Sequence, residues 1–239
     1  MRVLTAYSRD EALIDAFNTG KDLHCLTAAG ISQYDYNDIR AHKEEKNSEQ
    51  YIMRQLAKTI NFGTVYGMGP DKLQKNLWTN LRLRKTVEEC DEYFNRFFAT
   101  YPGVKRYIDS TGNFAQRFGF TYTFTGRRRR FVIAEFSRSM VSRLRRQAVN
   151  ARIQTTSSDL VLAGLIDLAR WLHPLGGRVL LTVHDSVAFQ LPKGASGVRK
   201  ALDNIVMETT AARAPWLPVA WKYDVGRGPN YGDTHGEVA

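Results

Sequence analysis

The chain of 239 residues has only two cysteines, Cys25 and Cys90, which form neither a metal-ligand pattern nor a disulfide framework. No stretch approaches the roughly 20 consecutive apolar residues that a membrane span requires. The opening residues, M-R-V-L-T-A-Y-S-R-D, lack the basic segment and long apolar stretch of a secretory signal. Internal repeats, low-complexity tracts and flexible linkers are also missing. These absences argue against a membrane protein, a disulfide-stapled secreted domain and a zinc module. They leave the interior of a cell as the expected compartment: cytoplasm, nucleoid, or host-cell cytoplasm for a viral chain. A hydrophobic fraction of 43% is enough for a real core, and the length suits one large domain or two modest ones.

Acidic residues are outnumbered. The formal net charge is +10, which points to a polyanionic partner. From Arg127 to Arg152 there are nine arginines and one acid, Glu135. A solvated basic face explains some of them, but not the preference for arginine, whose planar fork suits phosphate. A membrane surface is a weaker match, because these arginines are not set against a large aromatic face. Nucleic acid is the expected partner.

Periodicity predicts a helical first half. Helices are expected over residues 9–19, from Asp22 onward, from an Asn47–Gln50 capping box to about Tyr66, over 87–100, and on to Gly119. Residues 35–50 read as an exposed charged segment or a solvated helix face, and Gly67-Met68-Gly69-Pro70 as a stop. Then the pattern changes: a strand at 120–124, a turn at Thr125-Gly126, and a long helix over 137–171. A hairpin over 179–192, a helix over 197–213 and a last strand at 219–225 follow. The fold class is α+β, with a helical lobe to about residue 124 and a helix-plus-antiparallel-strand lobe after it.

Two places carry candidate chemistry. In the helix before Gly67, Arg54, Lys58, Phe62 and Tyr66 recur at i+4 and form one slowly drifting stripe. Ile52, Leu56 and Ile60 form a neighbouring apolar stripe for the core. Two cations followed by two rings match a nucleoside triphosphate, with phosphates at one end and sugar and base at the other. Gly63, inside this helix, costs about 1 kcal/mol relative to alanine, so something is expected close to its backbone. An ordinary amphipathic helix has the same periodicity. The second place is V-L-L-T-V-H-D-S-V-A-F-Q-L-P, where His184 and Asp185 join two strands expected to be buried. A two-residue loop prefers Asn-Gly or Asp-Gly, because its backbone needs positive φ. His-Asp breaks that rule beside a strand, as functional residues often do.

The spelling R-x-x-x-K-x-x-x-F-x-x-x-Y-G, with Asn61 before Phe62, resembles motif B of family A DNA polymerases, the bacterial polymerase I type. V-H-D resembles motif C of that family. Further matches follow in family order: K-D-L-H at 21–24, Y-P-G-V at 101–104, T-G-R-R at 125–128, Arg146/Asn150/Gln154, and G-x-G-x-N-Y at 226–231. The resemblance covers nearly the whole chain and implies an incomplete polymerase right hand, with fingers over 1–124 and the C-terminal half of the palm over 125–239.

The resemblance implies roles residue by residue. Arg54 and Lys58 would hold the incoming dNTP, with Lys58 a candidate general acid for pyrophosphate. Phe62 would pack on the sugar, which in this family goes with rejecting dideoxynucleotides, and Tyr66 would stack near the templating position. Arg146, Asn150, Gln154, Arg127 and Arg128 would contact DNA, His184 the primer terminus, and Asp185 would bind Mg2+. Two-metal catalysis needs a second carboxylate, which the family supplies from motif A. Arg2 matches the last arginine of motif A, so that carboxylate is expected from another polypeptide. The resulting expectation is the C-terminal subunit of a split DNA polymerase, a heterodimer with an N-terminal subunit supplying motif A and thumb. The family's glutamate after Asp185 is Ser186 here, and Q-G-x-A-A-D is Gln154-Thr155-Thr156-Ser157-Ser158-Asp159. The alternative is a non-catalytic DNA-binding or accessory protein derived from a polymerase. A metal-dependent hydrolase has too few ligands. An RNA polymerase relative would usually carry Tyr in place of Phe62.

Overall fold

The computed structural model describes residues 1–132 and 137–237, so Glu135 lies outside the described residues. The chain divides into two compact units, Met1–Gln154 and Thr155–Ala239.

The first unit is mostly helical, and its caps explain its helix starts. Helix α1 (Arg2–Ser8) buries Val3, Leu4 and Ala6. Asp10 caps α2 (Glu11–Asn18), and its other oxygen accepts the Gly103 amide at 2.7 Å. One carboxylate therefore pins α2 to the start of α8 (Pro102–Phe118). Asp22 caps α3 (Leu23–Ile31) by accepting the His24 and Cys25 amides. Residues 35–50, expected as an exposed segment or a solvated helix face, contain α4 (Tyr36–Ala41), capped by Asp35 and anchored by fully buried Ile39.

Helix α5 (Glu49–Val65) starts one residue later than the Asn47 signal suggests. The Ser48 hydroxyl accepts the Tyr51 amide at 3.0 Å, while Gln50 donates to Asp38 instead of closing a box. A complete capping box forms elsewhere, between Thr86 and Glu89 at the head of α7 (Val87–Thr100). Gly67–Pro70 is a corner as well as a stop: Pro70 opens α6 (Pro70–Leu81), since proline at the first helical turn forfeits no hydrogen bond. Leu56, Ile60, Leu73, Leu77 and Phe97 are fully buried and build the core from α5, α6 and α7.

Strand β1 (Phe120–Tyr122) pairs antiparallel with β2 (Arg128–Arg130), so most of the arginine run is an exposed strand. Helix α9 (Arg138–Leu172) contributes Leu144 and Ala148 to a small cluster with Ala115 of α8. Arg152 does not join the basic face. Its guanidinium sits 4.4 Å from the Tyr7 ring centroid and 5.2 Å from that of Tyr122, and it donates to Thr111 at 3.0 Å. This arginine holds the unit together by cation–π contact.

In the second unit, β3 (Arg178–Val183) and β4 (Ser186–Gln190) form an antiparallel hairpin. One face, with Val179, Val187 and Phe189, packs on Leu168 and Leu172 of α9 and Leu202 of α10 (Val198–Arg213). The other face corrects the expectation of buried strands. Leu180 is 55% exposed, Leu181 40% and Val183 44%. The apolar run marks these residues for burial, but the described residues leave about half of each uncovered. The strand expected at 219–225 is also corrected: only Val225 belongs to β5 (Val225–Arg227), which pairs with β6 (His235–Glu237). Tyr223 serves instead as an anchor, donating its hydroxyl to Asp203 at 2.6 Å.

Candidate functional site

Three of the four stripe residues line one cavity of about 630 Å³, a size typical of small-ligand sites. Lys58, Phe62 and Tyr66 come from α5, and α6 adds Lys72 and Asn76 from across the corner. The rings are available: Phe62 is 46% exposed and Tyr66 54%. Gly63 lies beneath them. A Cβ there would collide with the Met68 methyl, so the close approach expected at this glycine is made by the protein's own Met68. Asn76 holds that methionine by donating to its sulfur at 3.4 Å.

The fourth stripe residue is engaged elsewhere. Arg54 donates to Asp22 at 2.8 Å, and only 19% of its side chain is exposed. Its Nε is a buried donor without a partner among the described residues. Burial opposes the charge on Asp22, but the Arg54 hydrogen bond and the Cys25 amide outweigh it and hold this carboxyl below its ordinary range. The K-D-L-H spelling is thereby given a physical role, since Asp22 caps α3 and clamps Arg54 of α5 together.

His24 of the same spelling backs Phe62, with ring centroids 5.7 Å apart. Its Nδ1 lies 3.0 Å from the Asn61 amide nitrogen, while the Asn61 oxygen accepts the Thr27 hydroxyl at 3.0 Å. Thr27 in turn lies 2.9 Å from the hydroxyl of buried Tyr101, from Y-P-G-V. This chain of polar groups fixes the orientation of α5 against α3 and α7. Nothing in the sequence alone links these motifs.

Burial lowers the pKa of His24 from 6.5, and the charges of Arg54 and Lys58 add to the effect. Below pH 6.5 the unfolded chain therefore binds a proton that the folded chain resists. The resulting stabilisation is complete above pH 6.5 and is lost as pH falls toward the depressed folded value. Exposed His42 shifts the opposite way, so a variant is needed to isolate the effect. The urea midpoint of the native chain is expected to drop between about pH 7 and 5 more steeply than that of His24→Gln. Parallel curves would remove His24 from this account.

The DNA-contact candidates fall in both units. Arg146 is exposed, and its stem lies so close to Gly67 that a Cβ there would collide with its Cγ. Gly67 also has φ +67°, so the corner demands glycine twice over. Asn150 is half-buried, and its Oδ1 has no partner among the described residues. Gln154 is exposed. Arg127 and Arg128 are exposed beside the β1–β2 turn, with the Arg128 guanidinium 5.3 Å from the Phe120 ring centroid.

In the second unit, His184 and Asp185 are exposed at the β3–β4 turn. His184 supplies the positive φ that the short loop needs, at 55°, a conformation that costs a residue other than glycine about 1 kcal/mol or more. Ser186 has a local task, donating its hydroxyl to the Val183 carbonyl at 2.8 Å and tying off the turn. The Asp185 carboxylate forms no ion pair or side-chain hydrogen bond among the described residues. No group of three His, Cys, Asp or Glu that could hold a metal ion occurs among the described residues. Magnesium prefers an octahedron of oxygens anchored by one or two carboxylates plus substrate phosphates. A single exposed Asp185 is half of such an anchor, so these residues do not by themselves fit the ion.

A family model described as DNA polymerase family A matches residues 1–233. The chain belongs to this family. DNA polymerase I of Deinococcus radiodurans is 34% identical over 98% of this chain and 22% of its own length. DNA polymerase I of Geobacillus stearothermophilus is also 34% identical, over 98% of this chain and 25% of its own length. The chain thus spans about a quarter of the length of these relatives. A solved structure described as the POL domain of Pol1 from M. smegmatis in complex with DNA primer-template and dNTP superposes with a TM-score of 0.75. It shares 27% identity and covers 93% of this chain and 36% of that one. The helix-rich architecture with short antiparallel strands is that of a family A polymerase fragment.

Proposed function

We propose that this chain provides the fingers (residues 1–124) and the C-terminal half of the palm (125–239) of a DNA-directed DNA polymerase. Its reaction is template-directed transfer of nucleotides from dNTPs to a primer 3′-hydroxyl. The observation that carries the reading is the cavity that joins Lys58, Phe62 and Tyr66. Lys58 and Lys72 supply positive charge for a triphosphate, and the two rings supply faces for sugar and base. The similar POL domain from M. smegmatis is in complex with primer-template and dNTP, and those ligands agree with this reading.

Arg54 acts in this reading as a positioning residue. Its pairing with Asp22 sets α5 against α3, and Lys58 one turn later takes the phosphates. Arg146, Asn150, Gln154, Arg127 and Arg128 contact primer–template, with His184 at the primer terminus. Asp185 serves as one carboxylate of a magnesium site.

The lone Asp185 and the uncovered apolar face of β3 call for a complementary segment. We assign it the motif A carboxylate and the thumb, on a second polypeptide that forms a heterodimer with this chain. The test is primer extension with magnesium and four dNTPs, using this chain, a polypeptide carrying motif A and thumb, and their mixture. Extension by the mixture alone is expected. Extension by this chain alone would refute the need for a complement. Silence from an associated mixture that still binds DNA would favour a non-catalytic DNA-binding protein instead.

A further inference from the structure

Between Lys72 and Lys85 the chain has five cations and no acid. Lys75 and Trp78 fall at i and i+3, on a stripe of α6 separate from the one that gives Lys72 and Asn76 to the cavity, and Arg82 directly follows the helix. Trp78 is 43% exposed. The Arg82 guanidinium lies 5.6 Å from its ring centroid and that of Arg84 lies 4.9 Å away. Neither arginine pairs with a carboxylate among the described residues, whereas neighbouring Lys85 is held by Glu89 at 2.8 Å.

The backbone is bent to make this arrangement. Arg82 occupies the left-handed position that ends α6, with φ 53°, where glycine is the usual residue. The Leu83 amide then donates to the Leu77 carbonyl at 3.2 Å, and the chain turns back so that Arg84 returns over the same ring as Arg82. A strained arginine that brings a second arginine onto an exposed tryptophan is poorly explained by stability. Two adjacent guanidiniums repel each other, and both leave donors facing water.

We propose that the α6–α7 corner is a binding site for single-stranded nucleic acid. A base stacks on the Trp78 ring or on a guanidinium plane beside it, and Arg82, Arg84 and Lys75 hold the flanking phosphates. Aromatic stacking with arginine around it is the common chemistry of sequence-tolerant single-strand binding. Duplex DNA has no unstacked base to offer, so the site discriminates by strandedness. The inference rests on the polymerase reading of this chain and adds a site for the nucleic-acid polymer apart from the cavity assigned to the dNTP.

The test is fluorescence anisotropy of the full chain with a labelled oligothymidylate of about 15 nucleotides, against a blunt duplex of similar length. Trp78→Ala and the pair Arg82→Ala/Arg84→Ala should each weaken oligothymidylate binding by about tenfold. Trp78→Phe, which keeps a ring, should retain most of the affinity. Duplex binding should stay within about twofold for the Trp78 variants, because the loss of one stacked base is specific to the single strand, and the double arginine variant should lose less on the duplex than on the single strand. Trp78 is exposed, so circular dichroism should report an unchanged fold. Equal losses on both DNAs, or none on the single strand, would overturn the site. In either case extension by the complemented mixture would leave the polymerase reading intact. No binding of either DNA by the native chain, with no extension, would overturn both.

Discussion

Replacing Lys58 by alanine is expected to slow nucleotide incorporation by on the order of 10²-fold in the complemented assembly, with primer–template affinity nearly unchanged. Lys58 is exposed on the cavity, at the start of the Lys58–Phe62–Tyr66 run. A positioned cation gains most of its effect where negative charge accumulates during phosphoryl transfer. Lys72 across the cavity cannot restore that geometry, because it comes from α6 and approaches from a different direction. Lys58→Arg keeps the charge but changes its shape, so partial activity is expected. Arg54→Ala should behave differently. It breaks the pair with half-buried Asp22 and should lower stability before it alters the chemistry. Single-turnover extension with urea unfolding separates the two. A Lys58→Ala assembly with native rates would mean that the stripe does not hold phosphates.

Asp185→Asn should remove extension almost completely, by about 10³-fold, while leaving DNA binding and stability intact. The substitution is isosteric, and residue 185 is exposed on the β3–β4 turn. Surface changes of this kind usually move stability by no more than about 0.5 kcal/mol. What it removes is charge alone. This carboxylate has no side-chain partner among the described residues, yet the turn that presents it tolerates a left-handed His184 rather than adopting a cheaper Asn-Gly loop. In the proposed reading that charge serves a cation shared with a second carboxylate, which the complement contributes. Rapid extension by the Asn variant would make Asp185 a solvated turn residue. Loss of DNA binding together with activity would instead make it a contact for structure.

Several features were legible in the sequence because they depend only on neighbours along the chain. The i+4 recurrence of Lys58, Phe62 and Tyr66 fixed a common helix face, and the structure brings all three to one cavity. The expected spans 87–100 and 197–213 agree with α7 and α10 to within one residue. The loop at His184 was expected to need positive φ, and it has it. Local competition between caps was less legible: Ser48 displaced Asn47 because its hydroxyl reaches the third amide of α5.

Tertiary structure decided everything that joins residues distant in sequence. Arg54 has the same i+4 spacing as Lys58, but Asp22, thirty-two residues earlier, claims its guanidinium. Arg152 belongs by composition to the basic run, but the rings of Tyr7, Tyr107 and Tyr122 enclose it. Lys72 joins the cavity, and Trp78 meets two arginines, only because corners reverse the chain at Gly67 and Arg82. The apolar run in β3 marked both faces as apolar, and packing chose which one α9 and α10 would cover. The physical reason is range. Backbone periodicity and capping act within about one helical turn, whereas ion pairs, stacking and burial depend on which surfaces the completed fold brings into contact.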